Sequence, residues 1–259
     1  MAHTKEVEEF MRKLYNDRAR TFDNSPGHGI HSARQKQAWM DILTKALNGA
    51  QGLKVLDVGT GTGVIALLLA EMGHLVTGID ISRRMLERAE GKARKGNLRT
   101  EFRLGNAEAL PFEDESFDAV VSRHVLWTLP NPEKALVDWK RVLRPGGKLI
   151  NIDGDSNKHK ALSKEIWRYL VMPLVLFSEG RDPRQRRYKR MEKYLPMRQQ
   201  RLPEAGVKLL EGLGFEVDVS EVEIPRNYTF FNYLKYGYNR NNEQLNSICQ
   251  CRLENKIDC

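Results

Sequence analysis

Cysteine is scarce in this chain, and the little there is lies together: Cys249, Cys251 and Cys259 all fall within the last eleven residues. A disulfide framework is thereby excluded, which agrees with a reducing compartment. C-x-C followed by a third cysteine has the spacing of a soft-metal site, but a frayed tail with exposed thiols explains it more simply, so no metal is assigned. Long apolar runs are also missing: none approaches the roughly 20 residues that cross a bilayer. The first residues carry Lys5, Glu6, Glu8, Glu9, Arg12 and Lys13 and lack the apolar core of a signal peptide. The expectation is a soluble, cytoplasmic protein. Acidic residues fall short of basic ones, giving a net charge of +8, but most of that excess is local.

What is present is a rhythm. Residues 1–48 read as helices broken at Asp23-Asn24-Ser25-Pro26-Gly27-His28-Gly29, with Val7, Phe10, Met11 and Leu14, then Trp39, Ile42, Leu43 and Leu47, at helical spacing. From Lys54 to Asp153 strand and helix alternate. Strands are expected at Lys54–Val58, Leu75–Asp80, Arg99–Leu104, Phe117–Ser122 and Lys148–Asp153, with helices at about 62–72, 82–94 and 131–143. This alternation implies an α/β fold with a parallel sheet and helices on both faces. Residues 156–202 break the rhythm with a helix-like, basic insertion. A helix at about 203–212 and a strand at Phe215–Val222 then resume it, and aromatic Tyr228–Tyr238 suits a last strand. The division that follows is an N-terminal helical lid (1–48), a core (49–155), a basic helical cap (156–202), a completion of the core sheet (203–238) and a C-terminal tail (239–259).

The most constraining stretch is Val55-Leu56-Asp57-Val58-Gly59-Thr60-Gly61-Thr62-Gly63. An apolar strand ends in an acid, turns through three alternate glycines and enters an apolar helix, which brings backbone N–H groups against a nucleotide-like ligand. The spacing is G-x-G-x-G, not the G-x-G-x-x-G of dinucleotide binding. Asp80 ends the next strand, where an acid can accept from both hydroxyls of a ribose; capping the following helix is the competing role. Gly105-Asn106-Ala107-Glu108-Ala109-Leu110-Pro111-Phe112 follows the third strand, and the fourth delivers Ser122-Arg123-His124 to the carboxyl end of the sheet. Leu143-Arg144-Pro145-Gly146-Gly147-Lys148 marks a turn into the fifth.

Taken in order, VLDVGTGTG, Asp80, NAEALPF, FDAVVSRHVLWTL and LRPGGKL resemble the class I S-adenosylmethionine-dependent methyltransferases, and among them the group of ubiquinone/menaquinone C-methyltransferases. The resemblance is strong over about 50–155, moderate over 203–238 and absent over 156–202. It implies a Rossmann-like sheet of seven strands, the last antiparallel, plus a helical cap, with S-adenosylmethionine as cofactor. It also implies that Asp57, Gly59, Thr60, Gly61 and Gly63 hold the methionine end, Asp80 the ribose and Ile81 the adenine face. Asn106 and Ala107 would read the adenine edge, and Ser122 would offer a backbone carbonyl. The family more often has Asp where this chain has Asn106, which can donate as well as accept.

Methyl transfer from a sulfonium is in-line displacement, in which positioning can be worth about 7–11 kcal/mol. A base is needed only for a weakly acidic acceptor, so no catalytic residue is assigned; His124 and His28 are the candidates, with His31 behind them. Tyr15, Arg18 and Phe22 suit a cover over the cofactor or a contact with its carboxylate; a solvated helix face is the competing reading. Nine cations between Arg181 and Arg201 face only Asp182 and Glu192. They suit an anionic acceptor, or simply form a solvated helix face. Nucleic acid is not expected, because only Tyr188 and Tyr194 interleave them. The function expected is methyl transfer to a small molecule. The alternatives are a cofactor-binding protein without catalysis, a nicotinamide-dependent oxidoreductase, and thiol or metalloid chemistry at Cys249 and Cys251.

Overall fold

The computed structural model describes residues 2–24, 27–154, 191–199, 202–225 and 244–253. Helix α1 (Ala2–Arg18) and α2 (Ala33–Ala46) precede β1 (Lys54–Val58), α3 (Val64–Glu71), β2 (Leu75–Asp80), α4 (Arg83–Lys95) and β3 (Thr100–Leu104). There follow β4 (Phe117–Arg123), α5 (Pro132–Val142), β5 (Leu143–Gly154), α6 (Leu202–Gly212), β6 (Phe215–Ile224) and β7 (Gln244–Leu253). The sheet runs β3-β2-β1-β4-β5-β7-β6. Strands β1 to β5 pair in parallel, and β7 lies antiparallel between β5 and β6.

The two-residue period of a strand sorts the core. Val55, Ala119, Val121, Ile150 and Ile152 meet Trp39 and Leu43 of α2 and Ile65 and Leu69 of α3. Leu56, Val58, Val120 and Leu149 meet Leu136 and Trp139 of α5 and Leu210 of α6 on the opposite face. Strands covered on both faces read as the continuous apolar runs seen in β1 and β4. Trp139 is fully buried, and its indole N–H donates to the Ala107 carbonyl at 2.8 Å, which fixes the loop after β3.

Three differences from the sequence reading have physical causes. Strand β5 begins at Leu143, not Lys148, because Leu143 pairs with Phe117 before the register shifts to Ala119↔Lys148; Arg144 to Gly147 bulge between, with Gly146 at φ 72°. Second, β7 occupies 244–253, within what reads as a tail. Its C-x-C is part of a two-residue alternation, and Cys249 and Cys251 stand in register with Asn151 and Leu149 of β5. The expected strand Tyr228–Tyr238 lies outside the described residues, as does most of the basic cap. Third, Gly63 is required by packing. It takes φ 80° at the start of α3, and a Cβ there would lie 2.9 Å from that of Ala89 on α4.

The lid has a small core of its own. Val7 and Met11 of α1 pack with Met191 and Leu195 from the end of the cap, and Met197 packs with Ala205 of α6 and with Trp127. Among the described residues no helix is long and apolar enough to cross a membrane.

Gly63→Ala combines a left-handed backbone with a clash against α4. It should cost about 2 kcal/mol or more in urea unfolding, whereas Gly212→Ala, with nothing near its Cβ, should cost nothing measurable.

Candidate functional site

The sheet order lines up the carboxyl ends of β3, β2, β1 and β4, and an open cleft follows them, with about 1240 Å³ of empty space counting the solvent at its mouth. Asn106, Ala107 and Glu108 line it beyond β3, Asp80, Ile81 and Met85 at β2, Asp57 and Gly59 to Thr62 at β1, and Arg123, His124 and Val125 at β4. Of the expected cofactor residues, Asp57, Gly59, Thr60, Gly61, Asp80, Ile81, Asn106 and Ala107 share this cleft.

Gly63 and Ser122 do not line it. Ser122 is fully buried in β4, on the same face as Val120, in register with Val58 and Asn151. Its Oγ has no hydrogen-bond partner among the described residues. His31 is exposed, and its backbone N–H donates to Gln35 at the start of α2.

The β1 turn is built around Asp57. One carboxylate oxygen accepts from Thr60 Oγ1 at 2.6 Å and from the Ala66 N–H at 3.1 Å, tying strand, turn and helix together. Burial pushes its pKa up to about 7, against these hydrogen bonds. Asp80 is likewise raised to about 6 by burial; it accepts from the N–H groups of Gly61 and Ser82, both at 2.8 Å. Ser82 caps α4 by accepting from Met85 N–H, so the side-chain cap falls to Ser82 and not to Asp80. Gly59 takes φ 68°, and a Cβ on it would overlap Val125; at Gly61 the nearest such contact is Phe22, 3.7 Å away. Gly61 thus leaves bare backbone at the cleft.

The fourth wall is the lid. Glu8, Met11, Tyr15 and Arg18 recur at helical spacing along one face of α1, and all line the cleft with Phe22 and His28. Asn16 Oδ1 accepts from Ser82 Oγ at 2.8 Å and Arg84 N–H at 3.2 Å. Asp23 accepts from Thr62 Oγ1 and pairs with Lys92 at 2.8 Å. Asn106 Nδ2 donates to Glu8 Oε2 at 3.2 Å.

Arg123 makes the remaining tie and had no assigned role in the sequence. Strand parity sends it to the α2 face, where its guanidinium stacks 4.5 Å from the Trp39 ring centre and donates to the carbonyls of Gly27 and His28. Stacking and carbonyl acceptors are what a buried guanidinium requires. Burial still lowers its pKa to about 10. The two candidate histidines meet beside it, ring centres 5.8 Å apart and nearly perpendicular. His124 adopts φ 60° as β4 ends. Its Nδ1 lies 3.9 Å from Asp153 Oδ1, an atom otherwise without a partner among the described residues. Burial and the Arg123 charge depress both histidines, His28 to about 4 and His124 well below its ordinary value. Burial raises Asp153 to about 7.

These groups fit a nucleoside-bearing cation: acceptor carboxylates stand at the ends of β1 and β2, bare backbone lies at Gly61, and apolar Ile81 and Met85 line the cleft at β2. A model of the methyltransferase domain matches residues 56–151. The chain is 39% identical over 148 residues to a demethylmenaquinone methyltransferase of Tropheryma whipplei, 57% of this chain and 59% of that protein's length. It is 34% identical over 180 residues to the ubiquinone/menaquinone biosynthesis C-methyltransferase UbiE of Rhizobium etli, covering 65% and 68% of the two chains. An S-adenosylmethionine-dependent methyltransferase from Methanosarcina mazei superposes with TM-score 0.55 at 27% identity, covering 82% of this chain and 97% of that one. The [4+2]-cyclase SpnF superposes with TM-score 0.65 over 94% and 95% of the chains at 20% identity, a likeness of fold alone.

The Asp57 shift has a signed consequence. A carboxyl near 7 in the fold and 3.8 when unfolded makes stability fall as pH rises between those values, with the full penalty present above 7. Asp57→Asn should therefore melt higher than the parent at about pH 8 and lose that advantage as pH falls towards 4. His28, shifted the opposite way, is common to both proteins and cancels in the comparison.

Proposed function

This chain belongs to the class I S-adenosylmethionine-dependent methyltransferases, and from that premise we propose that it transfers the methyl group of S-adenosylmethionine to a small-molecule acceptor by in-line displacement. The carrying observation is the order of groups along the cleft: Asn106 and Ala107 at β3, Asp80 at β2, Asp57 and the bare Gly61 backbone at β1, and His124 at the end of β4 with His28 of the lid loop against it. The nicotinamide alternative loses its ground with this family.

On this reading Asp80 accepts from the ribose hydroxyls, and Ile81 and Met85 pack on the base. Asp57 and the 59–61 backbone hold the amino-acid end, and Arg18 faces its carboxylate. When bound, the cofactor supplies an electrophilic methyl group on a sulfonium. The β4 end then receives the acceptor, walled by Val125, Trp127, Arg123 and the paired histidines. This wall mixes apolar and aromatic surface with unprotonated imidazole. It suits a flat, partly apolar ring with a weakly acidic O–H or C–H, the class to which the demethylmenaquinone in the Tropheryma protein's name belongs.

An anionic acceptor draws less support. Of the basic stretch, Arg198 pairs with Glu192 at 2.9 Å and stacks on Trp127, and 181–190 lie outside the described residues. For proton removal we favour His124. It lines the cleft with Asp153 behind it, a group able to stabilise the imidazolium that forms.

Titration calorimetry with S-adenosylhomocysteine should show Asp80→Ala weakened about tenfold or more, the loss of hydrogen bonds to a charged group. Parental affinity in that variant would overturn the ribose assignment. Release of S-adenosylhomocysteine, screened over quinols, phenols and small carboxylates, should appear with the ring compounds; release with none would favour a binding protein without catalysis. With an active acceptor, His124→Gln should slow turnover by roughly 10²–10⁴ at unchanged S-adenosylhomocysteine affinity, and a rate within about twofold of the parent would exclude it as the base.

A further inference from the structure

Resting on the cofactor reading above, we propose that the exocyclic amine of the cofactor's adenine is read by Glu8, an acid carried on the lid helix α1, with Asn106 as its anchor on the core. An exocyclic amine is a donor and calls for an acceptor at the β3 end of the cleft. Among the described residues that line the cleft at or next to that end, Asp80, Glu108, Asn106 and Glu8 carry a carboxylate or amide oxygen. Asp80 sits at β2, one strand away from β3, where the proposed function gives its remaining lone pairs to the ribose beside the N–H groups of Gly61 and Ser82. Glu108 is buried, and its two oxygens accept from the backbone N–H and the Nδ2 of Asn131, at 2.8 and 3.0 Å. Asn106 has both ends of its amide engaged, Oδ1 accepting from Glu108 N–H at 2.9 Å and Nδ2 donating to Glu8 Oε2 at 3.2 Å. Glu8 lines the cleft, and among the described residues the hydrogen bond from Asn106 engages one of its two oxygens. A carboxylate has room for several more donors.

The same contact explains the amide at 106. A carboxylate there would face that of Glu8 at hydrogen-bond distance, and like charges so placed repel. An amide instead donates to the acid and holds α1 down. Recognition of the base and seating of the lid are then one event, since the residue that reads the adenine is also part of the contact between α1 and β3.

The experiment measures binding of S-adenosylhomocysteine and of its hypoxanthine analogue, in which a carbonyl replaces the amine, by titration calorimetry. The parent should prefer the amine by a factor on the order of 10 to 100, as expected for a hydrogen bond to a charged acceptor. Glu8→Gln can accept from the amine or donate to the carbonyl, so it should bind the two ligands within about threefold of one another. Asn106→Asp should weaken S-adenosylhomocysteine binding and raise proteolysis of α1. Combining Glu8→Gln with Asn106→Asp exchanges acid and amide across the contact and should restore both. A preference undiminished in Glu8→Gln, or no preference in a parent that binds S-adenosylhomocysteine, overturns the Glu8 assignment while leaving the cofactor reading in place. A parent that binds neither ligand overturns both.

Discussion

Everything in this molecule depends on where the chain reverses its course across the sheet. From β1 it steps outward to β2 and β3, and from β4 it steps the other way to β5. The helix after β1 covers one face and the helix after β4 the other. Nothing helical can then fill the space beyond the carboxyl ends of β1 and β4, and an open parallel sheet binds its ligands in that crevice. The register of four strands becomes a line of positions, each supplied by the loop that leaves its strand. The site is therefore a property of topology first. Individual residues only determine what it recognises.

Those residues are held at a cost in stability. Asp57, Asp80 and Asp153 are all driven upward by burial, while Arg123 and both histidines are driven downward. Every one of these shifts says that the charged form is disfavoured in the fold relative to water. The fold keeps these groups because other interactions fix them in place. Thr60 and Ala66 hold Asp57, Gly61 and Ser82 hold Asp80, and Trp39 with the Gly27 and His28 carbonyls hold Arg123. On the proposed function, a cationic ligand beside Asp57 would stabilise its carboxylate and offset part of that penalty.

Legibility in the sequence followed the range of the interaction involved. Strands β1 to β4 were readable to within a residue or so because burial on both faces imposes local apolar runs, and Asp57 and Asp80 because a strand end is a local event. The roles of Gly63 and Arg123 were not. Gly63 looks like a third ligand glycine until α4 brings Ala89 against it, and Arg123 acquires a partner only when α2 places Trp39 beneath it. The side chain of Ser122 turns with Val120 away from the cleft that Arg123 lines, so only its backbone carbonyl is left for the role the resemblance implies. The β7 error was of another kind. Cys249 and Cys251 drew attention as thiols, although their spacing is also the period of a strand.

The lid shows why the cofactor was easier to read than the acceptor. On α1 the cleft-facing stripe is Glu8, Met11, Tyr15 and Arg18, a mixed set that no amphipathic pattern singles out as a binding face. The helix takes its place from partners roughly 65 to 100 residues away, Ser82 and Arg84 on Asn16 and Asn106 on Glu8. On the proposed function, the acceptor end is built the same way, from the loop at 27–28, the end of β4 and Trp127 against Arg198. Two histidines kept unprotonated there by burial and by Arg123 can accept a proton near neutral pH, but the same environment makes them weak bases. A weak base serves an acceptor whose proton is already loosened, such as an enolic or phenolic O–H or a C–H flanked by such a group. An unactivated alcohol would need a stronger base. The electrostatics that hold the lid to β4 therefore also narrow the chemistry beneath it.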